Sequence, residues 1–281
     1  WDTGKSRSRR VLIDSVTPQA VQISGFDPEV MADSARRLVD DGVELIDINF
    51  GCPAKKVCRK AAGSALLGDI DQIQRIVIAV ASAVDVPISI KTRTGLTLQD
   101  QAGTAAAVAA QNAGARLVVM HGRSRACRFK GSALPARLQE VTKQLSVPLL
   151  VNGDIVDAAT ARQALSASGA QGVMIGRAAM GQPWLFAELL GRPLPDLDQR
   201  LDVIYKHLQM MYTFYGSESG ARIARKHMQA YLQRWGANQL TAGFMPLSDG
   251  VAQCHWFEQQ RQRLLDVAHE QQSQRKEQAA A

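Results

Sequence analysis

A cysteine set between a glycine and a proline, directly behind an apolar run, is the first feature of this sequence able to do chemistry. Gly51-Cys52-Pro53 follows Leu45-Ile46-Asp47-Ile48-Asn49 with one residue between. Glycine permits a tight exit and proline stiffens the chain beside it. A thiol with an ordinary pKa of about 8.5 is mostly protonated at neutral pH. It can therefore give up a proton as a general acid. Cysteine also serves as a small buried residue, and the tripeptide alone leaves both readings open. Cys58, Cys127 and Cys254 lack this setting and read as structural.

Lys91, with Thr92 and Arg93 behind it, closes another apolar run. A lysine there is costly to bury without an anion. It either snorkels to a rim or stands beside a group that becomes negative. Asn152-Gly153-Asp154 and Gly176-Arg177 close two later runs. Glycine lets backbone amides approach a phosphate and Arg177 adds charge; ordinary strand-to-helix turns are the other reading. Two loops are basic and carry no acid, Lys55-Lys56-Val57-Cys58-Arg59-Lys60 and the stretch from His121 to Lys130. Arg222, Arg225, Lys226 and Arg234 form a third basic set on a helical pattern whose other side carries Ala224, Met228, Leu232 and Trp235.

The elements that position these residues repeat. Six short apolar runs, at residues 20–23, 45–49, 87–91, 117–121, 147–152 and 172–177, each end in a polar or small residue. Amphipathic stretches follow, such as Asp27-Pro28-Glu29 capping a helix with Met31, Ala35, Leu38 and Val39 on one side. Near-continuous apolar runs suit parallel strands buried on both faces. Six βα units fit an open doubly wound sheet as they stand, and fit a (β/α)8 TIM barrel if two units precede Trp1. The ends Gln22, Asn49, Lys91, His121, Asn152 and Gly176-Arg177 would converge on one mouth in a barrel and spread along an edge in an open sheet. Six polar ends on consecutive strands favour the barrel, with residues 1–190 as its incomplete domain. The proline-rich turn after Arg192 leads to helical periodicity only, so 191–269 reads as a small all-α domain and 270–281 as a flexible tail.

The chain has 281 residues, 46% hydrophobic and 21% charged, which excludes global disorder. A net charge of +7 and a pI near 9.4 favour a polyanionic partner. No cysteine pair has CxxC spacing, which leaves no metal site in view. No apolar run reaches the roughly 18 residues of a membrane span. A reducing cytoplasm and a monomer are the simplest expectations.

Read in order, these segments resemble tRNA-dihydrouridine synthases. The resemblance runs through Asp47-Ile48-Asn49-Phe50-Gly51-Cys52-Pro53-Ala54-Lys55-Lys56-Val57, Lys91-Thr92-Arg93-Thr94-Gly95, His121-Gly122-Arg123-Ser124-Arg125-Ala126, Asn152-Gly153-Asp154-Ile155, Met174-Ile175-Gly176-Arg177 and Arg222-Ile223-Ala224-Arg225-Lys226-His227. It covers residues 1 to about 235. It implies an FMN-binding barrel, a helical domain and tRNA held in the groove between them. NADPH, or NADH, would be the reductant, and a D-loop uridine, at tRNA position 17, the target. The same resemblance makes Cys52 the proton donor. It gives FMN to Gln22, Lys91, His121, Asn152, Gly153, Asp154, Gly176 and Arg177, and turns Asn49 and Arg93 to the uracil. Reduced flavin, ionised at N1, is the kind of group that Lys91 suits. Two alternatives stay open: a non-catalytic tRNA-binding protein, and another FMN barrel acting on a free pyrimidine.

Overall fold

The computed structural model of the chain describes residues 11–13, 16–58 and 61–280. Two compact units divide at Gly176/Arg177. The first is built on six parallel strands, β1 (Ala20–Ile23), β2 (Leu45–Asn49), β3 (Ile88–Arg93), β4 (Leu117–His121), β5 (Leu149–Asn152) and β6 (Gly172–Met174). They lie side by side in chain order. A doubly wound sheet reverses its order at a switch point; this one never does. With crossovers of one hand, consecutive order puts every helix on the same face. The helices α1 (Pro28–Asp40), α2 (Ile70–Ala81), α3 (Ala102–Asn112), α4 (Gln139–Gln144) and α5 (Ala158–Ser168) accordingly pack each on the next. This is the (β/α) arrangement of a TIM barrel, with β1 and β6 the edges of the six described strands.

Local chemistry fixes the helix starts. The Asp27 carboxylate accepts the Val30 N–H ahead of Pro28, and Asp157 forms a capping box with Thr160. Outward-facing Ile46, Ile48, Ile88, Ile90, Val118, Met120, Leu149 and Val151 are buried beneath the helices. The expectation of strands apolar on both faces needs correcting here. In β2, Asp47 and Asn49 alternate with Ile46 and Ile48 and are only half-buried. The period of two sends polar side chains to the inner face.

The second unit contains α6 (Leu197–Tyr215), α7 (Ser217–Arg234) and α8 (Gly250–Ala280), which pack on one another. Leu201, Ile204, Leu208, Met228, Leu232, Phe244 and Phe257 form its core. The sequence-based boundary at residue 190 lies too late. Trp184 packs on this core, with its ring centroid 6.5 Å from Tyr231 and the Arg200 guanidinium 4.9 Å above it. Arg234 also donates to the Ala178 carbonyl at 3.4 Å. These contacts draw residues 177–190 into the helical unit. The stretch from 270, expected as a flexible tail, continues α8 to Ala280. Gln, Glu, Lys and Ala are good helix formers, so a solvated end can stay helical. No described helix is long and apolar enough to cross a membrane.

Candidate active site

Strand register brings the polar ends together in a stagger. Gln22 pairs with Asp47, Asn49 with Lys91, Arg93 with His121, and His121 with Asn152. Each strand is offset from the last, so residues of different local position share one end of the sheet.

A hydrogen-bonded chain then runs to the cysteine. Ser89 Oγ donates to Asp47 at 2.6 Å, and Gln22 Nε2 donates to the other Asp47 oxygen. Asn49 Nδ2 donates to Gln22 Oε1 at 2.8 Å. Asn49 Oδ1 accepts the Gly51 and Cys52 N–H groups at 3.0 and 2.9 Å. From the other side, the Cys52 carbonyl accepts Ser64 N–H at 3.1 Å and Ser64 Oγ–H at 2.9 Å. Gly63, at φ +62°, passes so close that a Cβ would stand 2.8 Å from the Cys52 oxygen. Cys52 is therefore gripped through both backbone groups while its side chain stays half-exposed.

Lys91 is half-buried beside this chain. Burial, then the charge of Arg93, push its pKa down to about 7, against the pull of Asp47. Burial raises the Asp47 carboxyl, opposed by the Gln22 and Ser89 hydrogen bonds and by Lys91. His121 is 7% exposed. Burial and the charges of Lys91, Arg93 and Arg123 hold it down at about 3, so the imidazole is neutral. Arg123 Nη1 lies 3.4 Å from His121 Nε2. An arginine only donates, so Nε2 accepts and the ring proton sits on Nδ1.

Not every residue named from the sequence faces open space. Asp154, at φ +54°, takes Arg123 in a two-pronged pair at 2.8 and 2.7 Å and accepts Ala133 N–H at 2.8 Å. Its carboxylate is committed to this strut. Gly153 sits at φ +121°, where a Cβ would meet the His121 ring at 2.7 Å. Asn152 Nδ2 donates to the Met174 carbonyl at 2.8 Å. Gly176 is exposed, with nothing near the place of a Cβ, and Arg177, also exposed, opens the second unit. Arg93 is only 3% exposed, and its guanidinium is turned onto backbone carbonyls.

The basic loop after β4 divides in the same way. Arg123 is buried, while Arg125, Arg128 and Lys130 line a cavity of about 480 Å³ with Pro53, Cys58 and Cys127. In the other basic loop, Lys55–Cys58 forms one helical turn, and Arg59 and Lys60 lie outside the described residues. Sequence reading gave no role to Asp47, Ser64 or Ser89, and it counted Arg123 among the cations of the basic loop, whereas the structure buries it against Asp154. Only the position of Asp47 within an apolar run hinted at one.

A family model described as dihydrouridine synthase matches residues 3–266. The chain is 44% identical over 262 residues to tRNA-dihydrouridine synthase B of Pseudomonas syringae pv. tomato, covering 90% of this chain and 78% of that protein. It is 42% identical over 267 residues to tRNA-dihydrouridine synthase B of Escherichia coli K12, covering 92% and 83%. Among solved structures, morphinone reductase in complex with tetrahydroNAD aligns with TM-score 0.41 and 19% identity, over 60% of this chain and 50% of that one. With a family model running through both units and such identity over nine-tenths of its length, the chain belongs to the dihydrouridine synthase family.

Proposed function

We propose that this protein reduces the C5–C6 double bond of a uridine in tRNA to give 5,6-dihydrouridine, with Cys52 as the proton donor. One observation carries the reading. The Cys52 backbone is held from two sides at the end of the sheet where a cation, a neutral imidazole and carboxamides collect.

The residues present fit FMN. Lys91 Nζ is a donor for the polar edge of a flavin ring, and Gln22 and Asn152 add carboxamides beside it. Neutral His121 accepts or donates without adding charge. The backbone amides of Gly153, Asp154 and Gly176, with Arg177, suit a phosphate, since glycine admits close approach. FMN, when bound and reduced by NADPH or NADH, supplies a hydride to C6 of the uracil.

The chain's own residues do the rest. Cys52 delivers a proton from Sγ to C5, which completes the addition of two hydrogens. Asn49, which fixes the Gly51 and Cys52 amides, sets where that thiol stands and has one further amide hydrogen for a uracil carbonyl. Lys91 holds positive charge where negative charge develops. A stacked base is out of reach, so the uridine must be turned out of its stack. Arg125, Arg128 and Lys130 flank that entry and suit the phosphates of the same RNA. The target is a D-loop uridine, at position 17, and the enzyme works in the cytoplasm where tRNA is found.

Cys52→Ala tests the assignment. The variant should keep its flavin spectrum and bind tRNA as before, while dihydrouridine formation, followed by mass spectrometry of the tRNA, falls at least about a hundredfold. Undiminished product would remove Cys52 as the acid. A colourless protein that still binds tRNA would favour a non-catalytic role.

A further inference from the structure

The basic loop after β4 carries one large apolar side chain among its cations. Phe129 is 57% exposed and stands between Arg128 and Lys130, which are exposed as well. A single exposed ring means little by itself, but this one is displayed from a braced loop. Arg128 N–H donates to the Arg125 carbonyl at 3.1 Å, and Lys130 N–H to the Cys127 carbonyl at 2.8 Å. The Arg128 carbonyl accepts Arg93 Nη1–H at 2.9 Å. The Lys130 and Gly131 carbonyls accept N–H groups of buried Arg123 at 3.3 and 2.5 Å. Arg128 sits at φ +52°, a conformation that a non-glycine residue keeps only when its surroundings impose it. The ring also has a defined place. The Arg93 guanidinium carbon lies over it, 5.6 Å from its centroid, and Arg93 Nε–H donates to the Gly51 carbonyl, next to Cys52, at 2.7 Å.

We propose that Phe129 is a stacking platform for the nucleobase beside the target uridine in the RNA chain, with Arg128 and Lys130 reaching the phosphates on either side. This rests on the dihydrouridine reading and deepens it. When a uridine is turned out of its stack, the base next to it loses a neighbour and shows a bare π face. An aromatic ring restores that contact, and does so for any base, since every base has such a face. Unpaired RNA is bound in this way, by rings for the bases and cations for the phosphates. Arg125, Arg128 and Lys130 line the cavity of about 480 Å³ together with Pro53, the residue after Cys52. The cations of the loop and the thiol loop thus share the neighbourhood of the ring. The stretch from His121 to Lys130 holds no acid to repel a phosphate. The uracil has a different place, against the Cys52 thiol, so the ring is left for its neighbour. A braced ring gives up little freedom on binding, which favours affinity.

Phe129→Leu and Phe129→Trp, made in the flavin-loaded full chain, test the ring. Leucine keeps an apolar side chain and removes the π face, whereas tryptophan keeps the face. Affinity for tRNA, read by fluorescence anisotropy, should weaken about tenfold in Phe129→Leu and stay within about threefold of the parent in Phe129→Trp. The ring neutralises no phosphate, so the slope of log K against log salt should match the parent's in both. Lys130→Ala, measured beside them, should lower that slope by about 0.7–0.9. The Tm of both Phe129 variants should stay near the parent's, because the ring is exposed. Parent-like binding by Phe129→Leu would show that no base rests on the ring. Equal weakening in both variants, or a lowered Tm, would reduce Phe129 to a support of its loop. A changed slope would trace the loss to the cations. Each of these overturns the inference. A parent that binds tRNA and forms no dihydrouridine sinks the functional reading alone, and the affinities still judge the stack. A parent that binds no tRNA overturns both.

Discussion

Lys91 on β3 stands opposite Asn49 and diagonal to Asp47 on β2, and both Lys91 and Asp47 are shifted toward their neutral forms. The sign for Lys91 follows from burial. The folded protein holds the amine at about 7, against an ordinary 10.5. Between those values the unfolded chain binds more protons. Lys91 therefore costs stability below about pH 7, and the cost fades as pH rises toward its ordinary value. In flavin-free protein the reactivity of Lys91 with an acylating reagent, followed by peptide mass spectrometry, should reach half its maximum near pH 7. Asp47→Asn removes the one anion that favours the ammonium and should move that midpoint lower. A midpoint near 10 in both proteins would show an amine standing in water. His121, held near 3, contributes no titration in the same range.

The loop after β4 is held by paired struts. Besides Arg93, buried Arg123 joins Asp154 while its remaining N–H groups reach the Lys130 and Gly131 carbonyls. Burial alone would raise the Asp154 pKa. The Arg123 and Ala133 hydrogen bonds outweigh it and hold the carboxyl below its ordinary 3.8. A depressed carboxyl contributes stability above its unfolded pKa and loses it as pH falls through the folded value. Asp154→Asn should destabilise the protein at pH 7 by about 1–2 kcal/mol, a modest figure because the carboxylate is partly in water and screened. Urea unfolding at pH 7 and near pH 3 reads it out, with parent and variant converging at the lower value. A gap that persists in acid would place the effect in packing instead of charge.

At the scale of the whole molecule, the net charge of +7 is spread over both units. On α7, Arg222 and Lys226 are exposed, whereas Arg225 is half-buried and donates to the Leu247 carbonyl at 3.0 Å. Arg222 and Lys226 face solvent, while Arg225 helps to hold the unit together. Replacing Arg222 and Lys226 together by glutamate should leave the circular dichroism spectrum and Tm near the parent's. It should weaken tRNA binding and lower the slope of log K against log salt by about 0.7–0.9 for each lost phosphate contact. An unchanged slope would place the RNA on another surface.

The repeat of strands and helices is written locally, in apolar runs and in caps such as Asp27 and Asp157. Local chemistry also marks Cys52, Lys91, His121 and Asn152, because a polar residue closing an apolar strand is visible without knowing its neighbours. Tertiary structure alone decided what those residues touch. The stagger between strands aligns Arg93 with His121 and Asn49 with Lys91, and no local pattern encodes that offset. The ties of Arg93 to Gly51 and of Arg123 to Asp154 span 42 and 31 positions. Those contacts bind Arg93 and the Asp154 carboxylate to distant segments. Trp184 likewise moved the unit boundary by finding a core more than 40 positions further on, at Tyr231. A sequence fixes a residue's chemistry and the period of its element, whereas its partners are set by how distant segments pack.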